Sequence, residues 1–109
     1  MFSLDDLQAA WEQSFEKPVI FFKHSNRCSV SFHVKGKLER DYTISAEEGQ
    51  FYFLNLIEHR DVSNEIANLT GVRHESPQMI AVFKGEVLYQ ASHGKISSEK
   101  LKESLMQAS

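Results

Sequence analysis

The fold turns on residues 19 to 38, Val19-Ile20-Phe21-Phe22-Lys23-His24-Ser25-Asn26-Arg27-Cys28-Ser29-Val30-Ser31-Phe32-His33-Val34-Lys35-Gly36-Lys37-Leu38. An apolar run gives way there to a polar stretch and then to the chain's single cysteine. Val19 to Phe22 is β-prone throughout, which fits a short strand covered on both faces. His24-Ser25-Asn26-Arg27 is loop chemistry, because serine and asparagine bond nearby backbone and cap helices. Beyond Cys28 two periods compete. Val30, Phe32 and Val34 alternate with Ser29, Ser31 and His33 as in a half-buried strand, while Val30, Val34 and Leu38 also share one helical face. Gly36 would cost a helix about 1 kcal/mol relative to alanine, so the residues alone leave strand and helix both open.

Outward from this stretch the signals are plainer. Ser3 and Asp6 fit a capping box, and Leu4, Leu7, Trp11 and Phe15 follow at helical spacing until Pro18 stops the helix. Phe51 to Ile57 is aromatic-rich and fits a second buried strand. Asp61 to Thr70 carries Val62, Ile66 and Leu69 on one helical face, with Gly71 as the stop. Met79 to Phe83 and Val87 to Ala91 read as strands joined through Lys84-Gly85-Glu86. Ile96, Leu101, Leu105 and Met106 mark a closing helix that begins near Ser97 or Ser98. By their β spacing, Phe21, Phe22, Phe51, Phe53 and Phe83 belong to the sheet core. The order α, β, α or β, β, α, β, β, α predicts an α/β chain with a mixed central sheet, helices on both faces and an N-terminal helix. It is similar to the order of the thioredoxin fold.

The chain has 109 residues, 41% apolar and 25% charged, which predicts one domain over 1–109 with a core of its own. Its net charge of −3 is spread without a long block of either sign, which argues against a nucleic-acid partner. The longest apolar run is five residues, Met79 to Phe83, against the roughly 20 of a membrane span and the roughly 7–15 of a signal-peptide core. A cytoplasmic protein with no membrane partner is therefore expected, as a monomer or weak dimer. One cysteine excludes an internal disulfide and a zinc site built from several thiolates, and the spacing of His24, Cys28 and His33 matches no zinc module. No metal and no resident cofactor are expected.

Cys28 follows a strand and a polar loop. If a helix begins there, its free N–H groups and its dipole favour the thiolate, which is the reactive species. Arg27 and Lys23 add positive charge if they turn toward the sulfur. Ser31 occupies the position of the second thiol in a two-cysteine oxidoreductase, so an oxidised Cys28 has to be resolved by another molecule. The plain alternative is a small buried hydrophobe. A second element bears on the choice. Arg73-His74-Glu75-Ser76-Pro77 lies just before the Met79 strand, and an X–Pro bond is cis in only about 5–6% of folded cases.

Lys23-His24-Ser25-Asn26-Arg27-Cys28-Ser29-Val30-Ser31 resembles the K-H-S-x-x-C-P-x-S active site of the monothiol bacilliredoxins, a thioredoxin-like family of bacillithiol-using bacteria. The resemblance continues through Ser76-Pro77-Gln78, Ser92-His93 and Ile96-Ser97, over essentially the whole chain. It implies a helix after Cys28, a cis Pro77 lying against the cysteine, and a backbone offered to an extended substrate by the residue before it. The implied activity is removal of bacillithiol from protein mixed disulfides. Cys28 would be the nucleophile, supported by Lys23, His24, Arg27, Ser29 and Ser31. Ser76, Pro77, Ser92 and His93 would bind substrate. The implied partners are S-bacillithiolated proteins and bacillithiol, or another small thiol, as co-substrate. Ser29 departs from the family, which usually has proline there to preset the first helical turn. Two other readings stay open. One is a thioredoxin-fold adaptor or stress protein without chemistry. The other is an iron–sulfur carrier of the monothiol-glutaredoxin type, which would need thiolates from outside this chain.

Overall fold

Ser3 sets the start of the first helix, α1 (Leu4–Gln13). Its Oγ accepts from the Asp6 amide at 3.2 Å, and the Asp6 carboxylate accepts from the Ser3 amide at 2.9 Å. In the computed structural model the residues described are 3–24, 29–42, 44–45, 47–55 and 60–107, and for 29–32, 34 and 41 the backbone alone. The helix ends ahead of Pro18, because Ser14 is buried and its hydroxyl donates back to the Trp11 carbonyl at 2.5 Å. Phe15 thus falls outside the helix and is exposed, as is Leu4, so the buried face is Leu7 and Ala10.

The central strand, β1 (Val19–His24), runs two residues past the apolar tetrapeptide and is buried along its whole length. It lies parallel to β2 (Gln50–Asn55) and antiparallel to β3 (Gln78–Phe83), which pairs antiparallel with β4 (Glu86–Ser92); the sheet order is β2-β1-β3-β4. Lys84 and Gly85 join β3 to β4 with φ of 54° and 75°. Two successive positive-φ residues match the twist of a tight hairpin, and Glu86, expected in the turn, already belongs to the strand. The Lys84 amide donates to the Ser14 carbonyl at 2.6 Å, fixing the hairpin to the end of α1.

The choice after Cys28 falls to the helix, α2 (Ser29–Asp41). Lys35 and Glu39 pair at 2.8 Å one turn apart, and Leu38 is buried on the sheet side. At Gly36 a Cβ would meet nothing among the described residues closer than the Arg40 guanidinium at 4.0 Å. Its roughly 1 kcal/mol helix cost is offset by docking on the sheet. The remaining helices are α3 (Arg60–Thr70), which stops at Gly71 with φ of 71°, and α4 (Ser98–Gln107), capped by Ser97, whose Oγ accepts from the Lys100 amide at 3.3 Å.

Alternation along the strands sorts the core into two layers. Ile20, Phe22, Met79 and Ala81 pack with Leu38, Ile96, Leu101 and Leu105 beneath α2 and α4. Val19, Phe21, Ile80 and Val82 pack with Leu7, Ala10, Val62 and Ile66 beneath α1 and α3. This is a thioredoxin-like arrangement. One strand differs from expectation. β2 is a sheet edge in which only Leu54 is buried and Phe53 is 42% exposed, because aromatic content marks strand propensity and not depth. Leu69 and Met106 are likewise exposed at the ends of their helical stripes. Among the described residues no helix is long and apolar enough to cross a membrane.

Candidate functional site

Strand polarity brings the sequence motifs to one end of the strands. His24 ends β1, Gln78 begins β3 in register with Lys23, and Ser92, the last residue of β4, pairs with Gln78. The Ser76–Pro77 peptide, which is cis, enters β3 at this end. A 3₁₀ turn, His93–Lys95, leaves β4 there and packs against α2. Cys28 and Arg27 lie outside the described residues, as do the side chains of Ser29 and Ser31. The chain passes through Cys28 one residue before α2.

The segment before Pro77 is held from three sides. From β4, the Ser92 hydroxyl donates to the Glu75 carboxylate, and the His93 amide donates to the Pro77 carbonyl at 2.9 Å. The Ser92 hydrogen bond, with His93, Arg73 and Lys95 nearby, holds the Glu75 carboxyl below its usual range. From β3, the buried Gln78 amide donates to the Arg73 carbonyl at 2.9 Å, and its oxygen accepts from the Glu75 amide at 3.4 Å. From β1, Lys23 reaches His74.

Lys23 is not a surface cation. It is fully buried on the α3 face, with Nζ donating to the Ser63 carbonyl at 3.5 Å and to His74 Nδ1 at 3.3 Å. The Ser63 hydroxyl also reaches His74 Nδ1, at 2.9 Å. An ammonium can only donate, so Nδ1 is the acceptor and the ring proton sits on Nε2. Burial pulls the Lys23 amine down to about 8. Desolvation and then the charges of Lys23 and Arg60 hold His74 below its usual value, consistent with a neutral ring. His24, one residue on, is buried on the opposite face, its ring 5.4 Å from Phe53 and 6.4 Å from Phe22. His33 is exposed on α2.

The structure thus gathers Ser76, Pro77, Ser92, His93 and, through His74, Lys23 around one loop, and places His24 across the sheet from Lys23. Ser63, Glu75 and the clamping role of Gln78 escape the sequence reading. The one available signal for Ser63 is a polar residue interrupting the Val62–Ile66 stripe. Ser76 has a buried Oγ with no hydrogen-bond partner among the described residues. Removing an unsatisfied hydroxyl costs little in the fold. Ser76→Ala should therefore leave Tm unchanged or slightly raised in a thermal melt, and a fall of several degrees would mean that the hydroxyl is satisfied in the fold.

Comparison with known proteins agrees with this geometry. The family model described as monothiol bacilliredoxin BrxC matches residues 1–101. A solved structure described as a candidate oxidoreductase with a thioredoxin fold is similar at 29% identity and a TM-score of 0.78, over 95% of this chain and 89% of that one. Thioredoxin from Malassezia sympodialis (Mala s 13) superposes with a TM-score of 0.71 at 17% identity, over 98% of this chain and 86% of its own. Oxidised thioredoxin O1 from Arabidopsis thaliana does so at 0.65 and 17%, over 98% and 93%. At that identity the last two establish the fold alone.

Proposed function

The chain belongs to the monothiol bacilliredoxin family of thiol redox proteins, and from that premise we propose that it removes bacillithiol from protein mixed disulfides, with Cys28 as nucleophile. The observation that carries this reading is that the residues after the only cysteine are helical from Ser29 onward, in a helix that packs against the His93–Lys95 turn, whose His93 amide donates to the carbonyl of the cis Pro77. With Cys28 at the N-terminal end of this helix, its unpaired N–H groups and positive dipole end would favour a thiolate, and the Arg27 charge next to it in sequence would add to that.

In the proposed reaction the Cys28 thiolate attacks the bacillithiol sulfur of a protein–bacillithiol disulfide. The S–S bond breaks, the electron pair leaves on the protein sulfur, and that protein departs as a thiolate that takes a proton from water. A disulfide between Cys28 and bacillithiol remains. A second thiol, bacillithiol or another small thiol, attacks this adduct and releases Cys28 as thiolate, carrying away the oxidised small thiol. Ser76 and Pro77 hold the substrate backbone, with Ser92 and His93 bracing them. No resident cofactor takes part, and the cytoplasm is the compartment in which such thiols stay reduced.

Intact mass after exposure to oxidised bacillithiol, with glutathione and coenzyme A disulfides in parallel, tests the reading. One bacillithiol adduct, lost in Cys28→Ser and formed faster than the other two, is expected. No adduct with any of the three would sink it and leave a non-catalytic adaptor in its place.

A further inference from the structure

Lys23 is an anomaly of the core. It is completely buried, and its described contacts are a helix carbonyl and an imidazole nitrogen that must be unprotonated to accept from it. A buried ammonium held this way costs stability, and methionine, similar in length, would fill the space without that cost. Packing alone therefore gives no reason for an amine at this position. Its geometric effect is clear: it joins the end of β1 to Ser63 of α3 and to His74, three residues before Pro77. Its cross-strand neighbour Gln78 grips Arg73 and Glu75 on either side of His74.

We propose that Lys23 is a positioning residue that acts through His74, and with Gln78 fixes residues 73–76 so that the backbone before Pro77 meets the peptide portion of a mixed disulfide in one set geometry. The specificity it confers is for peptide-bearing disulfides over small ones. This deepens the function proposed above and rests on Cys28 being the nucleophile. Lys23 does so without touching the substrate, since its side chain lies inside the α3 layer. The neutral His74 ring, shared between the amine and the Ser63 hydroxyl, transmits the constraint.

The test compares two disulfides in single turnover on the full chain. One is a peptide whose cysteine is linked to thionitrobenzoate, and the other is the small symmetric disulfide of thionitrobenzoate. In each, the Cys28 thiolate attacks the other sulfur, the S–S bond breaks, and coloured thionitrobenzoate leaves as a thiolate. Lys23→Met should raise the half-saturation concentration for the peptide disulfide about tenfold, change the rate with the small disulfide by much less, and leave Tm equal or higher. Ser63→Ala, which takes one hydroxyl from the His74 ring, should shift the peptide value in the same direction by about threefold, and it decides the matter if Lys23→Met does not fold. Equal slowing with both disulfides would show that Lys23 acts on the sulfur and would overturn the proposal. So would peptide kinetics unchanged in the folded variants. Wild-type protein releasing no thionitrobenzoate from either reagent would instead overturn the reading of Cys28 as nucleophile, and this proposal with it.

Discussion

Cys28→Ser is expected to reduce turnover of a bacillithiolated protein to the uncatalysed background while leaving the thermal melt within a few degrees of wild type. The chain has one cysteine, so no second sulfur can take over the attack. A hydroxyl is nearly isosteric with the thiol but is not ionised near neutral pH, and it cannot form the disulfide that the first step requires. Serine is also a preferred residue at a helix start, so a position close in sequence to α2 should tolerate it. The measurement is release of reduced substrate by gel shift or mass, beside circular dichroism melts of both proteins. Turnover persisting above background in Cys28→Ser would mean that the sulfur is not the nucleophile. A fall in Tm of about ten degrees or more would mean instead that Cys28 serves the core, the plain alternative for a lone cysteine.

What could be read ahead of the structure follows from how local each signal is. The capping box at Ser3, the Gly71 stop and the β3–β4 turn are set by neighbours within a few residues; the first two stand as expected, and the turn falls where expected but is one residue shorter, with Glu86 already in β4. The stretch after Cys28 could not be settled locally, because Val30, Val34 and Leu38 satisfy a helix while Val30, Phe32 and Val34 satisfy a strand. Contact with the sheet decides it, with Leu38 turned into the layer beneath α2 and α4. Depth is the least legible property. Phe53 and Phe22 are both aromatic residues in strands, yet β1 is central and β2 lies at an edge, so one ring is exposed and the other buried.

Lys23 shows the same limit at the site. The residues alone leave open which way Lys23 turns, and only the crossing of α3, forty residues later in the chain, encloses it. The motif names Lys23 and His24 side by side, but strand alternation sends them to opposite faces, toward α3 and toward Phe53 respectively. Ser76, Pro77, Ser92 and His93 were legible as a group because a motif carries them, whereas Ser63 has no neighbour in sequence that ties it to His74.

Ser31→Cys is expected to convert the one-thiol reaction into a self-resolving one. In wild type the bacillithiol adduct on Cys28 should persist until an outside thiol arrives, since position 31 offers a hydroxyl that cannot attack a disulfide. The backbone of residue 31 lies in the first turn of α2, three residues after Cys28, which is the spacing of a C-x-x-C pair. Successive turns of a helix bring such residues near the roughly 5.5–6 Å Cα separation that disulfides prefer. The new thiolate would attack the Cys28 sulfur of the adduct, break the bond to bacillithiol and release it as a thiol, leaving an internal disulfide between Cys28 and the introduced thiol. In thiol-free buffer the adduct mass should therefore decay in the variant to a species two hydrogens lighter than the reduced protein, while wild type keeps its adduct. Ser29, the departure from the family proline, bears on the same turn: Ser29→Pro removes no hydrogen bond that a first-turn N–H would make within the helix, and should leave this decay intact. An adduct that survives indefinitely in Ser31→Cys would mean that the Cys28 sulfur is directed away from the first turn of α2, and the attack geometry assigned to that helix start would have to be abandoned.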